Sequence, residues 1–195
     1  MSVRYLSPRL LSSSDRLDGF ECRSEEQTNW LSKHARQAHV RGGTSRVFVV
    51  TADGSSDVVA YYAWCMASLS PTQAPPLLRK GAGRYPQSVA LLARLGVDLH
   101  HEGRGLGAAL LADVISRTAL IGSEVGCRGL LVHAESASAR AFYRHLVPEF
   151  EPSPTDPLHL VLLMKDILRT LGGVPTGRSL TPSGRRAAPP GPARF

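Results

Sequence analysis

The stretch with the most chemical content reads Val97-Asp-Leu-His-His-Glu-Gly-Arg-Gly-Leu-Gly107, with glycines at 103, 105 and 107. Glycines at alternate positions let a backbone come close to a ligand. Where such a loop opens a helix, the first amides have no intrahelical acceptor. Together with the positive end of the helix dipole they form an anion site. The stretch has neither the Gly-Lys-Ser/Thr ending of a P-loop nor the later acidic residue of a dinucleotide fingerprint. A phosphate-bearing ligand held by backbone amides is the expectation. Cys22, Cys65 and Cys127 are too few and too scattered for a disulfide scaffold or a four-cysteine metal site, so no metal and a reducing, cytoplasmic setting are expected.

The loop needs a strand before it and a helix after it, and the pattern supplies both. Val89–Leu99 reads as a buried strand in which Gly96 marks a bulge or a close approach. Leu106–Ile121 is helical, with Leu106, Leu110, Leu111, Val114 and Ile115 on one face. Upstream, Ser24 is a candidate N-cap for a helix over Glu25–Val40, ended by Gly42-Gly43. Arg46–Thr51 and Val58–Ser70 read as antiparallel strands about the Asp53-Gly54 turn, followed by a proline-rich loop. Downstream come a strand at Gly129–Ala134, a helix at Ser138–Leu146 and a strand at Leu158–Met164. The order implies an α/β fold with one sheet.

The 195 residues carry 23 Lys+Arg against 16 Asp+Glu, a net charge of +7. Only Lys33, Lys80 and Lys165 are lysines; the arginines favour an anionic partner, because the guanidinium fork suits phosphate. Residues 172–195 hold four arginines, five prolines and no acid, and are expected to be a disordered basic tail behind a domain of residues 1–171. The rest is unevenly charged. Residues 27–52 and 58–97 contain eight cationic residues and no acid, as expected of a face that meets a polyanion. No apolar run approaches the roughly 20 residues of a membrane span, and no signal peptide is evident.

Glu102-Gly-Arg-Gly105-Leu-Gly107 resembles the pyrophosphate motif Gln/Arg-x-x-Gly-x-Gly/Ala of the GCN5-related N-acetyltransferases (GNAT superfamily). Ser136-x-x-Ala139-x-x-Phe142-Tyr143 continues the likeness. More narrowly, the chain resembles the acetyltransferase toxins of type II toxin–antitoxin modules. That closer match lies in Phe20-Glu-Cys22, Trp30-Leu31, His34-Ala35 and Ser45-Arg46-Val-Phe48-Val. It continues in Arg94-Leu-Gly-Val97-Asp98, Pro152-Ser-Pro-Thr-Asp-Pro157 and Lys165-Asp166-Ile167.

The resemblance implies a GNAT fold: one mixed, mostly antiparallel sheet, splayed at the fourth strand and flanked by helices. It implies acetyl-CoA as donor. Leu95 and Val97 would hold the pantetheine arm, and the Val97 amide would polarise the thioester carbonyl. Glu102, Gly103, Arg104, Gly105, Leu106, Gly107 and Ala108 would surround the pyrophosphate, with Ser136, Ala139 and Phe142 beside the cofactor. Tyr143 matches the tyrosine that protonates the departing thiolate. The implied acceptor is the amine of an aminoacyl-tRNA, whose acetylation blocks translation. Arg36, Arg41, Arg46, Arg79, Lys80 and Arg94 are candidates for its phosphates, all but Arg46 and Arg94 by charge and region alone. A ribbon-helix-helix antitoxin and a homodimer are implied as partners, and no membrane. The alternatives are acetylation of a protein or small-molecule amine, or a role as an operator-binding co-repressor subunit.

The sequence departs from the pattern at three places. Glu102 stands where Gln or Arg is usual, and its carboxylate suits a pyrophosphate only if it points away. Ser136 replaces the common asparagine. Leu146-Val-Pro-Glu-Phe150 is about two residues longer than the usual turn after the tyrosine. No carboxylate base is evident; an α-amine titrates near 7.7–8.0, so none of great strength is demanded. His133 is expected to be a buried strand histidine bonded to backbone.

Overall fold

The computed structural model describes residues 3–40, 43–81 and 84–172. Its elements are β1 (Arg9–Leu10), α1 (Glu25–His39), β2 (Arg46–Thr51), β3 (Val58–Leu69), α2 (Pro76–Arg79) and β4 (Gln87–Val97). A 3-10 turn at Leu99–His101 leads to α3 (Leu106–Glu124), β5 (Gly129–His133), α4 (Ala137–Leu146), β6 (Glu151–Pro152), β7 (His159–Leu163) and α5 (Met164–Gly172). The expected tail lies outside the described residues, apart from Gly172, which closes α5.

One seven-stranded sheet runs β1-β2-β3-β4-β5-β7-β6. Every pair is antiparallel except β4–β5, as the expected mixed sheet requires. Helices α3 and α5 cover one face. There Phe48, Tyr62, Leu92, Leu110, Val114, Leu130 and Leu160 form the main core. Helix α1 and the N-terminal segment cover part of the other face through Leu31, Ala35, Val47, Val49, Tyr61 and Ala63. Around α2, a third cluster joins Leu69, Leu78, Val89, Leu131 and Val161.

Local sequence explains most boundaries. The Ser24 hydroxyl accepts the Gln27 amide at 3.2 Å, starting α1 where an N-cap serine should. The β-branched run of β2 is buried from Val47 to Thr51. The proline-rich loop contains a four-residue helix, α2, with Pro76 in its first turn, where proline's missing N–H costs nothing. Helix α3 runs one turn past the expected Ile121. At 19 residues and mean hydropathy 1.4 it is long and apolar enough to cross a membrane, which corrects the reading that no such run exists. Its apolar residues instead meet the sheet: Leu106, Leu110, Leu111, Val114 and Ile115 are buried.

The irregularity in β4 lies at Ala93, not at Gly96. Ala63 pairs with Arg94 and Trp64 with Leu92, leaving Ala93 without a partner. Gly96 pairs regularly with Tyr61, and it is the Tyr61 ring that approaches it. A Cβ there would lie 2.8 Å from Tyr61 Cε1 and 3.3 Å from Phe20 Cζ. The ring has little room to yield. It stacks on Trp30 at 5.9 Å, meets Phe20 edge-on at 5.4 Å and donates its hydroxyl to the Gln27 carbonyl at 2.8 Å. Gly96→Ala is therefore expected to cost about 1–3 kcal/mol by overpacking, read as a lower midpoint in denaturant unfolding. An unchanged midpoint would show that Tyr61 moves aside.

Candidate active site

The site is built where β4 and β5 part. Their parallel pairing covers only Ala90–Leu130, Leu91–Leu131 and Leu92–Val132. Beyond it β4 stays with β3 up to Val97, whereas β5 continues beside β7 and the Ala134 amide bonds the Leu158 carbonyl at 2.9 Å. The unpaired Ala93 bends the strand at this point. In an antiparallel ladder, residues alternate between hydrogen-bonded and free edges. The Asp98 amide is bonded to the Val59 carbonyl at 2.9 Å, so the Val97 amide faces the other edge, into the fork. Leu95 has the same parity. The fork thus offers two backbone amides and no competing strand.

The glycine loop closes the wide end of the fork. Gly103 and Gly105 have φ of +70° and +80°, conformations that side chains disfavour. Gly105 is the N-cap of α3 and no side chain caps this end. The amides of Leu106, Gly107 and Ala108 are out of reach of the helix's own acceptors. At Gly107 a Cβ would lie 3.0 Å from Phe142 Cζ, so the phenyl ring that α4 packs across the start of α3 would have to yield to any side chain there. The Glu102 carboxylate is turned away and held by Arg23, with contacts of 2.8–2.9 Å from Nε and Nη2. Arg104 donates to the Tyr5 hydroxyl at 3.0 Å and to the His100 carbonyl at 3.3 Å.

Helix α4 lines the opposite side. Ser136 is its N-cap and accepts the Ala139 amide at 3.2 Å, which accounts for serine at the position where asparagine is usual. Phe142 is not a core residue; it is about one-third exposed, whereas Tyr143 is buried. Burial raises the Tyr143 pKa well above that of a free phenol, and the charge of Glu135 acts in the same direction. The phenol therefore holds its proton at neutral pH. Among the described residues its hydroxyl makes no hydrogen bond.

The cationic residues do not gather into one patch. Arg94 is paired with Glu26 and lies 5.7 Å over the Trp30 ring. Arg36 donates to the carbonyls of Ser12 and Asp15, and Arg46 to that of His39. Arg79 and Lys80 are exposed beside the start of β4, roughly 30 Å from Val97 along the strand by the usual rise per residue. Arg41 lies outside the described residues. His133 is exposed and stacked on His159 with centroids 3.9 Å apart, not buried against backbone as expected. Partial desolvation of the stacked ring, and then the neighbouring imidazole, lower its pKa.

Sequence reasoning missed the contacts that span the chain. Glu135, one residue before the recognised Ser136, accepts the Ser24 hydroxyl at 2.5 Å and the Gln27 side-chain amide at 3.3 Å. Arg23 and Tyr5 reach the glycine loop from the N-terminal segment. Their partners are some 80 to 110 residues away, so no local spacing announces them.

No protein-family model matches the chain. It is 44% identical over 168 residues to the tRNA-acetylating toxin of Mycobacterium tuberculosis (strain ATCC 25618 / H37Rv), a match covering 86% of this chain and 98% of that protein. The fold matches that of a tyrosine-to-phenylalanine variant of KacT (TM-score 0.78, 22% identity, 86% of this chain and 99% of that one). It also matches AtaT complexed with acetyl-methionyl-tRNAfMet (TM-score 0.77, 23% identity, 87% and 99%). A further match is an AtaT tyrosine-to-phenylalanine variant bound to acetyl-CoA and the C-terminus of the antitoxin AtaR (TM-score 0.69, 23% identity, 88% and 99%).

Asp98 holds this end of the site together. Its buried carboxylate accepts the amides of Glu21 at 3.0 Å and His100 at 2.9 Å and meets His100 Nδ1 at 3.0 Å. Burial raises its pKa, but these hydrogen bonds outweigh that and the net shift is downward. Its stabilising effect is therefore present at neutral pH and fades as pH falls through the folded-state value. Asp98→Asn is expected to cost about 1–3 kcal/mol at pH 7 and less at a pH well below the ordinary aspartate range, measured by denaturant titration at both. An equal loss at both pH values would contradict the role of the charge.

Proposed function

The chain belongs to the family of tRNA-acetylating toxins built on the GCN5-related N-acetyltransferase fold, and on that premise we propose that it transfers acetyl from acetyl-CoA to the primary amine of an aminoacyl-tRNA. The observation that carries this is the 44% identity to a tRNA-acetylating toxin, extending over 86% of the chain and across the fork, the glycine loop and Tyr143. The loop fits a pyrophosphate: left-handed glycines, no capping side chain, first-turn amides free and Glu102 turned aside by Arg23. Acetyl-CoA, when bound, supplies the activated acyl group.

The residues then divide the work. Leu95 and Val97 present backbone amides to the pantetheine arm, and the Val97 amide donates to the carbonyl oxygen as it gains charge. A donor so placed is worth about 10²–10³ in rate. The amide nitrogens of Gly103 to Ala108 bind the pyrophosphate, while Ala139 and Phe142 of α4 form the wall beside it and Ser136 holds the start of that helix. Tyr143 gives its proton to the coenzyme A sulfur as the carbon–sulfur bond breaks. Its raised pKa keeps that proton available at neutral pH. The products are coenzyme A and an N-acetyl-aminoacyl-tRNA, which has lost the nucleophile for peptide-bond formation.

Arg46, Arg79 and Lys80 keep exposed cationic ends for tRNA phosphates; Arg36 and Arg94 reach such a ligand only by leaving their present partners. The partner set extends to an antitoxin of ribbon-helix-helix type and to a second copy of the chain. The charged-tRNA substrate and three free cysteines fit a cytoplasmic setting.

Incubation with acetyl-CoA and total charged tRNA should yield N-acetyl-aminoacyl adducts by mass spectrometry. Acetylated proteins or small amines with no such adduct would overturn the acceptor. Tyr143→Phe should lower kcat by about 10²–10⁴, the range for general acid catalysis, with acetyl-CoA affinity unchanged. Wild-type turnover by that variant would remove Tyr143 from the mechanism.

A further inference from the structure

Glu135 lies on the loop between β5 and α4, on the β5 side of the fork and opposite the amides of β4. Its two oxygens are oriented by neutral donors on the other layer of the molecule: Ser24 Oγ at 2.5 Å and the Gln27 side-chain amide at 3.3 Å. Ser24 is itself fixed as the α1 N-cap, and Gln27 is buried and tied to the Tyr61 hydroxyl at 3.2 Å from its Oε1. Four other acids are paired with arginine: Glu26 with Arg94, Glu102 with Arg23, Asp15 with Arg9 and Asp57 with Arg16. Glu135 has no cation partner among the described residues, yet it is exposed. Burial raises the pKa of Tyr143, and the Glu135 charge acts in the same direction. An oriented, exposed, uncompensated carboxylate beside the proposed proton donor is arranged to receive a cation.

We infer that Glu135 binds the α-ammonium group of the aminoacyl ester and takes its proton during acetyl transfer, an assignment that rests on the function proposed above. The ammonium nitrogen donates to the carboxylate and loses one proton to it. The nitrogen lone pair forms the bond to the acetyl carbon as the carbon–sulfur bond breaks, and Tyr143 supplies the proton to sulfur. Glu135 ends protonated and Tyr143 deprotonated; water returns the proton between them, so the enzyme is restored without any other reactant. This also gives the site a preference for a small primary amine over a neutral hydroxyl, because only a cation compensates the carboxylate.

The pH dependence tests it. The groups facing Glu135 are Ser24 and Gln27 from α1, Tyr143 from α4 and Tyr61 from β3, whose pKa its charge also raises. Burial shifts both tyrosines well above a free phenol, so both keep their protons at neutral pH. His133, two residues away on β5, has its pKa lowered below that of a free imidazole. With Glu135 present, the ammonium form is productive, and kcat/KM for charged tRNA should be nearly flat from pH 6 to pH 8. Glu135→Gln should react only through the free amine. Its rate should fall about tenfold per pH unit below the amine's titration point, with a loss of about 10²-fold at pH 6 that shrinks as pH rises. Glu135→Asp should be slower but keep the flat profile.

Acetyl-CoA affinity should be unchanged in both variants, which a fold defect would not allow. A Glu135→Gln profile parallel to wild type would overturn the inference, as would transfer of the pH effect to His133→Gln. Ser24→Ala and Gln27→Ala should lower the rate without creating the slope; if they create the same slope, Glu135 is only a tether. A wild-type enzyme that forms no N-acetyl-aminoacyl-tRNA would instead fail the functional reading, before any variant is compared.

Discussion

Ala93 has no partner across β3, and the geometry of the site depends on that extra residue. The β5 ladder stops at Leu92, one residue earlier. The extra residue also shifts the alternation of side chains by one. Ala90 and Leu92 face the core under α3, and beyond Ala93 it is Leu95 and Val97 that pack against that core. Arg94 and Gly96 are thereby turned to the α1 face, where Arg94 meets Glu26 and Trp30 and Gly96 lies under the Tyr61 ring. Without the shift, Arg94 would point into the apolar core and the free amides of the fork would carry different residues. One small residue therefore makes the opening, chooses the amides that line it and seats α1 against the sheet.

The opening is held by contacts that come mainly from the first 27 residues. Asp98 binds the Glu21 amide, Glu102 is clasped by Arg23, Arg104 reaches Tyr5, and Glu135 reaches Ser24 and Gln27. One of these, Arg23 on Glu102, turns away a carboxylate that would otherwise oppose an anion at the α3 N-terminus. The other arm of the fork, β5 into α4, is fixed by the Ser136 cap and by Phe142 lying on Gly107. On the proposed function the cofactor seat would rest on backbone groups, while side chains from distant segments set its shape and charge.

Much of this was legible in the sequence where the signal is local. Ser24 as an N-cap, the β-branched run of β2 and the glycine loop before α3 each depend on neighbours within a few residues. Glycine at 96 reads as a bulge or a close approach; the structure has the close approach there, to the Tyr61 ring, and the bulge at Ala93, where alanine carries no such mark. Helix α2 is hidden by its prolines, and nothing near Gly107 in the sequence announces that Phe142, 35 positions away, packs against it. Net charge was the least transferable signal. A run without acids suggested a free basic face, yet Arg94 is neutralised by Glu26, and Arg36 is spent on two carbonyls. Counting charges along a chain cannot show which are paired across the fold.

The central claim is that the parted strands, with the Val97 amide pointing into the gap, are the seat of acetyl-CoA. Residue-resolved amide hydrogen exchange with and without acetyl-CoA tests this without requiring turnover. The account predicts strong added protection at Leu95, Val97 and Leu106 to Ala108, and little change at Ala90 to Leu92, whose amides already belong to the sheet. Added protection elsewhere, with Val97 exchanging at its unliganded rate, would contradict it.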